Sequence, residues 1–323
     1  MTGQRILLVC LAVTAAVLLA AVVLTTPWRP LPGVPGGGVH PDAARDFSAA
    51  EIARGRELAR AARPPAYLSM ALSLVVTLLL GLTPLGARIV TAVARPFGGG
   101  WVWQVLLGGL VLLLAGRMAA LPFDARLEAV RRRYGLSVRT WGGWWLDTAK
   151  GFAMSSGLLL AVLLALFALV RHWPRAAWPI AAGAGALLVV AVSFLYPLLV
   201  EPAFNKFHSM PDGPLRTSLL QLAEQDGVRV DDVLVADASR RTTALNAYVS
   251  GFGSTRRIVV YDTALESATQ REIELIAAHE LGHAKRNDVL HGTLIGAAGA
   301  AAGVCLLGLL VSWPPLLRRA GAD

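Results

Sequence analysis

The chain has 323 residues, of which 55% are hydrophobic and only 16% are charged. Its mean hydropathy of +0.56 excludes an ordinary water-soluble enzyme and indicates a membrane protein. The 30 Lys and Arg residues outnumber the 21 Asp and Glu residues, which gives a net charge of +9. Because basic residues concentrate beside membrane spans, where they meet anionic lipid headgroups, this excess requires no nucleic-acid partner, and we expect none.

Uncharged stretches long enough to cross about 30 Å of hydrocarbon predict the membrane spans. Five stretches are clear: Ile6–Thr25, Tyr67–Ala87, Gly151–Val170, Ala176–Val200 and Val289–Leu317. A sixth stretch, from Trp101 to Phe123, is interrupted by Arg117. We therefore predict a mainly α, polytopic membrane protein with about six spans.

The first predicted span also has features of a cleaved secretory signal, because Arg5 precedes an apolar stretch that contains small residues. We favour a retained span, since the stretch exceeds the usual length of about 7–15 residues and no convincing A-x-A site follows Pro27. Cys10 and Cys305 both fall inside predicted spans, so we expect no disulfide framework.

The first loop divides into two parts. Trp28–Pro41 is rich in proline and glycine and is typical of a linker. Ser48 and Glu51 then form a capping-box pattern, which predicts a separate interfacial helix through Ala62.

The basic residues also predict the orientation of the chain. Twelve Lys and Arg residues lie in the loops between spans one and two and between spans three and four, against seven on the opposite side. The positive-inside rule then places the amino terminus outside and both basic loops in the cytoplasm. The polar segment after the fifth span is cytoplasmic in the same arrangement. We expect the membrane to be a bacterial plasma membrane.

That polar segment, residues 201–288, has the composition of a small soluble α+β domain inserted before the last span. Its predicted elements are a helix, Pro214–Glu224, and two strands, Val233–Ala236 and Arg257–Tyr261. Between the two strands, Ala247–Ser250 ends at a hairpin-like break, Gly251–Gly253. A second capping box, Thr269 with Glu272, begins another helix. The predicted division of the chain is a membrane bundle with cytoplasmic connectors, the inserted domain, and the last span with its tail: 1–200, 201–288 and 289–323.

The second helix of this domain carries His279-Glu280-Leu281-Gly282-His283, an H-E-x-x-H pattern. Two histidines four residues apart lie about 40° apart around a helix, so both imidazoles can face one metal ion. Zinc lowers the pKa of its bound water to about 7, and the intervening glutamate can take the proton as that water attacks a peptide carbonyl. The pattern predicts a zincin-like metalloprotease, with His279 and His283 as metal ligands and Glu280 as the general base.

Several strings of sequence in the second half of the chain occur in a characteristic order: Glu201–Phe207, Ser239–Thr243, Asn246–Gly251, Arg257–Thr263 and His279–His283. Together with the connector from Tyr134 to Lys150, they resemble the type I CAAX prenyl protease family of integral-membrane zinc metallopeptidases. The resemblance covers most of the chain from about residue 65 onward. It implies membrane helices that enclose a water-filled chamber, with the metal helix at the cytoplasmic end.

The resemblance also implies roles for residues and a class of substrate. Asn246 and Tyr248 match the family's N-A-aromatic strand, which lies near the metal and holds the substrate backbone by strand addition. An ordinary packed strand is the alternative for these two residues. Family substrates include prenylated CAAX proteins, and bacterial relatives turn over membrane proteins or peptides. We therefore expect a peptide or protein substrate, with lipidated proteins among the candidates.

One feature of the family is missing from this sequence. A catalytic zinc site of this type has three protein ligands plus water, and in the family the third ligand is a glutamate beyond a seventh span. After His283 the acidic residues are Asp288 and Asp323. On a continuous helix Asp288 lies about 140° around from His283, so we expect it not to reach the same metal. Spacing does not choose among the upstream acids: Glu201, Asp237, Asp262, Glu266 and Glu274.

This departure leaves two expectations open for the chain. It is either a piece of a longer protein that carries the third zinc ligand, or a natural short form with a defective site. The alternative function is a catalytically silent membrane protein that holds a lipidated or hydrophobic segment, and metal content distinguishes it from a protease. A transporter is disfavoured, because the predicted spans have few ionisable residues apart from Arg117. A plain solvated helix face is the alternative for the H-E-x-x-H pattern itself.

Overall fold

The computed structural model describes residues 3–26 and 42–322, so the predicted linker Trp28–Pro41 lies outside the described residues. The described residues form two compact units. The first comprises three segments: 3–15, 135–154 and 169–308. The second comprises the remaining segments: 16–26, 42–134, 155–168 and 309–322.

Helices account for most of the described chain. In chain order they are α1 (Gly3–Thr25), α2 (Ala43–Asp46), α3 (Ala49–Leu82), α4 (Pro84–Ala94), α5 (Trp101–Arg133), α6 (Trp141–His172), α7 (Ala177–Phe204), α8 (Pro214–Gln225), α9 (Asp262–Ser267), α10 (Gln270–Lys285), α11 (Asp288–Leu310) and α12 (Pro314–Ala320). Among these described helices, six are long and apolar enough to cross a membrane: α1, α3, α5, α6, α7 and α11. The prediction of a mainly α protein with about six spans is confirmed.

The prediction that the interfacial helix ends at Ala62 is wrong, although its predicted start is correct. Ser48 and Glu51 form the capping box, with the amide of Glu51 donating to Ser48 Oγ at 3.3 Å. The helix then continues through Pro64 and Pro65 to Leu82. Membrane helices tolerate proline because neighbouring groups satisfy the backbone acceptors that proline frees.

Two span boundaries also differ from the prediction. The span predicted as Tyr67–Ala87 ends at Leu82, where Thr83 caps a new helix that begins at Pro84. The span predicted as Val289–Leu317 ends at Leu310, and α12 follows it from Pro314. Proline is favoured in the first turn of a helix, so in both places it begins the next helix.

Arg117 does not interrupt the sixth span, because α5 is continuous on both sides of it. Within the second unit its Nη1 atom donates to Asp124 Oδ2 at 2.6 Å, two turns further along α5. The Ser69 hydroxyl of α3 donates to the other carboxylate oxygen of Asp124 at 2.9 Å. A charge inside a span is tolerated when it is paired, which is the arrangement that Arg117 has.

The first unit contains a four-stranded sheet in the order β1-β2-β4-β3. Its strands are β1 (Phe207–Ser209), β2 (Asp232–Ala236), β3 (Ala247–Ser250) and β4 (Arg257–Tyr261). β2 and β4 are parallel, whereas β1 and β3 run antiparallel to their neighbours. The sequence pattern predicts β2 and β4, and the family resemblance implies β3. β1 is not predicted, because its three residues are too few to show a period. The edge position of β3 matters for the site described below.

α10 packs one face against this sheet. Its buried residues follow helical spacing: Ile273, Ala277, Leu281 and Ala284. They share a core with sheet residues from β2 and β4: Val233, Val235, Ile258 and Val260. Burial of a side chain such as Leu281 contributes about 1.5–3 kcal/mol, so this face fixes the rotation of α10 about its own axis. The two histidines of the H-E-x-x-H pattern consequently lie away from the core.

Polar contacts attach the segment before β3 to other parts of the first unit. Arg241 Nε donates to Asp147 Oδ2 at 2.9 Å, and Arg241 Nη1 donates to Asn205 Oδ1 at 2.6 Å. The Thr242 hydroxyl donates to the carbonyl of Leu136 at 3.0 Å. These bonds hold the start of β3 in place. The predicted boundary at residue 200 falls within α7, and the domain division stays a prediction.

Candidate active site

The candidate site begins with the cap of α10. Thr269 and Glu272 form the predicted capping box, in which the Thr269 amide donates to Glu272 Oε2 at 2.7 Å. A helix that starts here presents His279 and His283 one turn apart. Their Nε2 atoms lie 3.2 Å apart. Two nitrogens that bind one tetrahedral ion at about 2.0–2.1 Å are separated by about 3.3–3.4 Å, so the observed pair fits two ligands of a single metal.

Asp288 contacts the other nitrogen of His283. Its Oδ2 atom lies 2.7 Å from His283 Nδ1, on the side of the ring away from His279. The predicted separation of about 140° assumed a continuous helix, which the chain does not form at this point. The expectation that Asp288 does not bind the same metal is not contradicted, because its carboxylate contacts Nδ1 and not Nε2. Asn287 has a φ of 53°, in the left-handed region, so the helix is broken there: α10 ends at Lys285 and α11 begins at Asp288. Arg256 Nη2 holds this break by donating to Asn287 Oδ1 at 2.7 Å.

A carboxylate behind a ligating histidine fixes the tautomer and orientation of the ring. The pattern of the sequence does not predict this role for Asp288, although it contains a signal for it. Lys285 and Arg286 precede Asn287, and basic residues followed by asparagine are typical of a helix C-terminus. A helix end at this point removes the assumed rotation and makes Asp288 a candidate partner.

Glu280 and His283 line a small pocket of about 70 Å³. The other side of the pocket is formed by the end of β3 and the turn after it, where Val249, Gly251 and Phe252 lie. Glu280 is half-buried at the edge of the core-facing side of α10. A carboxylate, a candidate metal ligand and a sheet edge therefore meet around one cavity.

Asn246 and Tyr248 do not line this pocket. The Asn246 side chain is exposed, and its carbonyl accepts from the Tyr261 amide at 3.0 Å, which extends the β3–β4 pairing by one bond. Tyr248 is half-buried and meets the Tyr261 ring edge to face at 6.3 Å. Burial, with a smaller contribution from the Glu201 carboxylate, raises the pKa of Tyr248. The substrate-binding roles of both residues stay a prediction.

No third metal ligand joins His279 and His283 within residues 3–26 and 42–322, where no group of three His, Cys, Asp or Glu residues is arranged to hold a metal. Four of the upstream acids bond to other groups. Glu274 accepts from the Ser218 hydroxyl at 2.6 Å. The other three accept from serine or from a backbone amide: Glu201 from Ser250, Asp237 from Lys206 and Asp262 from Ser239.

Gly251 shapes the wall of the pocket, and we predict that Gly251→Ala destabilises the protein. Its φ is +91°, and an added Cβ atom would clash with the backbone oxygen of Thr255. Strain of this kind costs about 1–3 kcal/mol, so the midpoint of thermal unfolding in detergent should fall. Gly253→Ala is the matched control, because φ there is +56° but an added Cβ meets no described atom within 4 Å beyond its chain neighbours. Equal midpoints in the two variants would contradict the steric explanation.

Comparisons with known proteins show which families and structures the chain is similar to. The family description "CAAX prenyl protease N-terminal, five membrane helices" matches residues 41–206, just over half of the chain. The description "Peptidase family M48" matches residues 209–321. The uncharacterized metalloprotease YhfN of Bacillus subtilis is 32% identical over 193 residues, which cover 58% of this chain and 43% of that protein. The CAAX prenyl protease 1 homolog of Arabidopsis thaliana is 40% identical over 102 residues, which cover 31% and 24%.

The matches to these two curated relatives thus span less than half of each relative's length. Among solved structures, the crystal structure of S. mikatae Ste24p matches with a TM-score of 0.71. The match covers 97% of this chain and 73% of that chain at 20% identity, so it shows a common fold. Together these findings establish an integral-membrane protein of a protease family that uses a metal. The chain belongs to peptidase family M48 and carries the five-helix amino-terminal domain of the CAAX prenyl proteases.

Proposed function

We propose that the chain belongs to a zinc-dependent endopeptidase of the membrane, in which His279 and His283 supply two of the zinc ligands and Glu280 is the general base. The observation that carries the proposal is the pair of imidazoles whose Nε2 atoms face each other at 3.2 Å. Glu280 lies between them in sequence and lines the same pocket as His283. The test is hydrolysis of an internally quenched peptide by the full chain in lipid nanodiscs, before and after chelation of zinc.

The residues of the site have different roles in peptide hydrolysis. Zinc, when bound, polarises the peptide carbonyl and acidifies the attacking water. Glu280 takes the proton from the water and delivers it to the leaving amine. Asp288 accepts from His283 Nδ1, which leaves Nε2 free to bind the metal. The half-buried position of Glu280 keeps its carboxylate beside the site and restricts its rotamers.

The substrate in this proposal is an extended peptide segment that pairs with the edge strand β3. β3 is the last strand of the sheet and bonds to β4 along one edge only, within the described residues. An extended segment added at a sheet edge gains main-chain hydrogen bonds, and Asn246 and Tyr248 are the candidate contacts at that edge. Prenylated proteins are among the candidate substrates, as are peptides from other membrane proteins.

The orientation in the membrane is also part of the proposal. The concentration of Lys and Arg in two loops supports a cytoplasmic protease domain and an external amino terminus. A bacterial plasma membrane fits this arrangement. Substrate segments would then enter the site from the cytoplasmic side.

Loss of the Asp288 carboxylate should weaken zinc binding without abolishing it. Asp288→Ala removes the acceptor that holds His283 at 2.7 Å, and changes of this kind cost about 10–100-fold in metal affinity. Asp288→Asn keeps an oxygen acceptor and loses the charge, so its affinity should lie between those of the wild type and the alanine variant. The measurement is competition for zinc with a chromogenic chelator.

The matched control for Asp288 is Asp226→Ala. Asp226 Oδ1 forms an ion pair with Nζ of Lys285, the last residue of α10, at 3.3 Å. Asp226 does not contact either histidine. Its removal should leave zinc affinity unchanged. If Asp288→Ala bound zinc as tightly as this control, the orienting role of Asp288 would be rejected.

A further inference from the structure

A second cavity of about 330 Å³ adjoins the pocket of Glu280 and His283. The two share four lining residues: Val249, Gly251, Phe252 and Val289. Its remaining walls come from the end of α7 and from the other side of β3: Val192, Ser193, Tyr196, Pro197, Glu201, Tyr248 and Ser250. This volume is within the range of ligand pockets and exceeds that of a single amino-acid side chain. The cavity is therefore large enough to hold a substrate side chain next to the pocket of Glu280 and His283.

The charged group in the lining of this cavity is the half-buried carboxylate of Glu201. The Ser250 hydroxyl lies 3.5 Å from Oε1 and 3.4 Å from Oε2, and the Tyr248 hydroxyl also bonds to this carboxylate. A carboxylate has about four acceptor positions, so these long contacts leave capacity for another donor. Arg257 acts electrostatically on Glu201 but does not line the cavity. None of the described lining residues is Lys, Arg or His.

The rest of the cavity is largely apolar. Val192, Phe252 and Val289 contribute hydrocarbon, and Tyr196 contributes an aromatic ring. Long basic side chains suit such a site, because they lay their aliphatic stem along apolar surface and place the charged head at a polar group. An apolar cavity with one carboxylate in its lining is thus complementary in both polarity and charge to Lys or Arg.

The position of β3 connects this cavity to a bound peptide. Tyr248 and Ser250 are two residues apart, so their side chains lie on the same face of the strand. A peptide added at the edge of β3 alternates its side chains between the same two faces. Every second residue of such a peptide points to the face on which Tyr248, Ser250 and Glu201 meet.

We propose that this cavity is a substrate subsite for a lysine or arginine side chain, with Glu201 as its anionic partner. The inference rests on the proposed peptidase function, because it assumes a peptide along β3. It adds a charge preference to that function. The sequence alone assigns no function to Glu201. In the proposed subsite, Glu201 contributes to the selection of the substrate.

The test is the binding of fluorescein-labelled peptides to the full chain in nanodiscs, measured by anisotropy. Each peptide is neutral apart from one lysine, which is moved through the sequence, and a matched peptide carries norleucine at the same position. At one position or more, the lysine peptide should bind the wild type about tenfold more tightly or better than its norleucine partner, as a hydrogen bond to a charged group predicts. Glu201→Gln should remove this preference, whereas Glu201→Asp should keep part of it.

Glu266→Gln is the matched control, because Glu266 is exposed on α9 and lines neither cavity. It should retain the full preference for lysine. Equal binding of the norleucine peptides by all variants checks that the site is still folded. An unchanged lysine preference in Glu201→Gln, or no preference in the wild type, would overturn the subsite.

Hydrolysis of the same peptides separates this inference from the proposed function. A lysine preference in binding that depends on Glu201, without any cleavage, supports the subsite and rejects the peptidase. Cleavage with no dependence on Glu201 supports the peptidase and rejects the subsite.

Discussion

Replacement of Glu280 by glutamine should lower kcat/KM for peptide hydrolysis by about 10²–10⁴-fold while leaving zinc bound. The amide is close in size to the carboxylate, so it fits the half-buried place beside His283. It cannot accept the proton of the attacking water, and this is the step that the variant removes. The measurement is the initial rate of cleavage of a quenched peptide in nanodiscs, with zinc content determined on the same preparation.

Glu266→Gln serves again as the control for the Glu280 variant, since it makes the same chemical change at an exposed acid outside the pocket. Its rate should equal that of the wild type. Turnover by Glu280→Gln within a few-fold of the control would remove Glu280 from the role of general base. If the rate and the zinc content both fell, Glu280 would instead be needed to maintain the zinc site.

Replacement of His283 by alanine should have the second large effect, on metal binding itself. His283 supplies one of the two facing Nε2 atoms and is also the ring that Asp288 orients. Substitution of a residue that only hydrogen-bonds to a metal ligand lowers metal affinity by up to about 100-fold. Loss of His283, a ligand itself, should lower zinc affinity by more than this. Hydrolysis should fall at least as far as in Glu280→Gln. Zinc per chain, measured by mass spectrometry after gel filtration, gives the result directly.

His208→Ala is the matched control for His283→Ala, because His208 is exposed on β1 and lies in neither cavity. Zinc content should be unchanged in this variant. Wild-type zinc content in His283→Ala would show that the metal binds elsewhere. A wild-type chain with no bound zinc would favour the silent membrane protein as the alternative.

The parts of this fold that the sequence predicts are those fixed by short-range patterns. The capping boxes at Ser48 and Thr269 need only residues three positions apart, and both form as expected. The strands β2 and β4 are apolar, β-branched runs, and they form the buried centre of the sheet. The arrangement of His279 and His283 likewise follows from helical geometry alone, because four residues complete about one turn.

The parts that the sequence does not predict depend on contacts between distant residues. Asp288 reaches His283 because Asn287 adopts a left-handed backbone, and Arg256, 31 positions earlier, holds that asparagine. Arg117 lies inside a continuous span because Asp124 pairs with it, a contact that a hydropathy pattern does not register. Glu201 is the clearest example, since its place beside Tyr248 and Ser250 needs both the end of α7 and the edge of the sheet.

The most direct test of the central claim is peptide hydrolysis by the wild-type chain in nanodiscs with zinc supplied, followed by chelation and readdition of the metal. We predict measurable cleavage, its loss when 1,10-phenanthroline removes zinc, and its recovery when zinc is restored. Cleavage that persists after the metal has been removed would contradict the account. So would the absence of cleavage in a chain that holds one zinc ion.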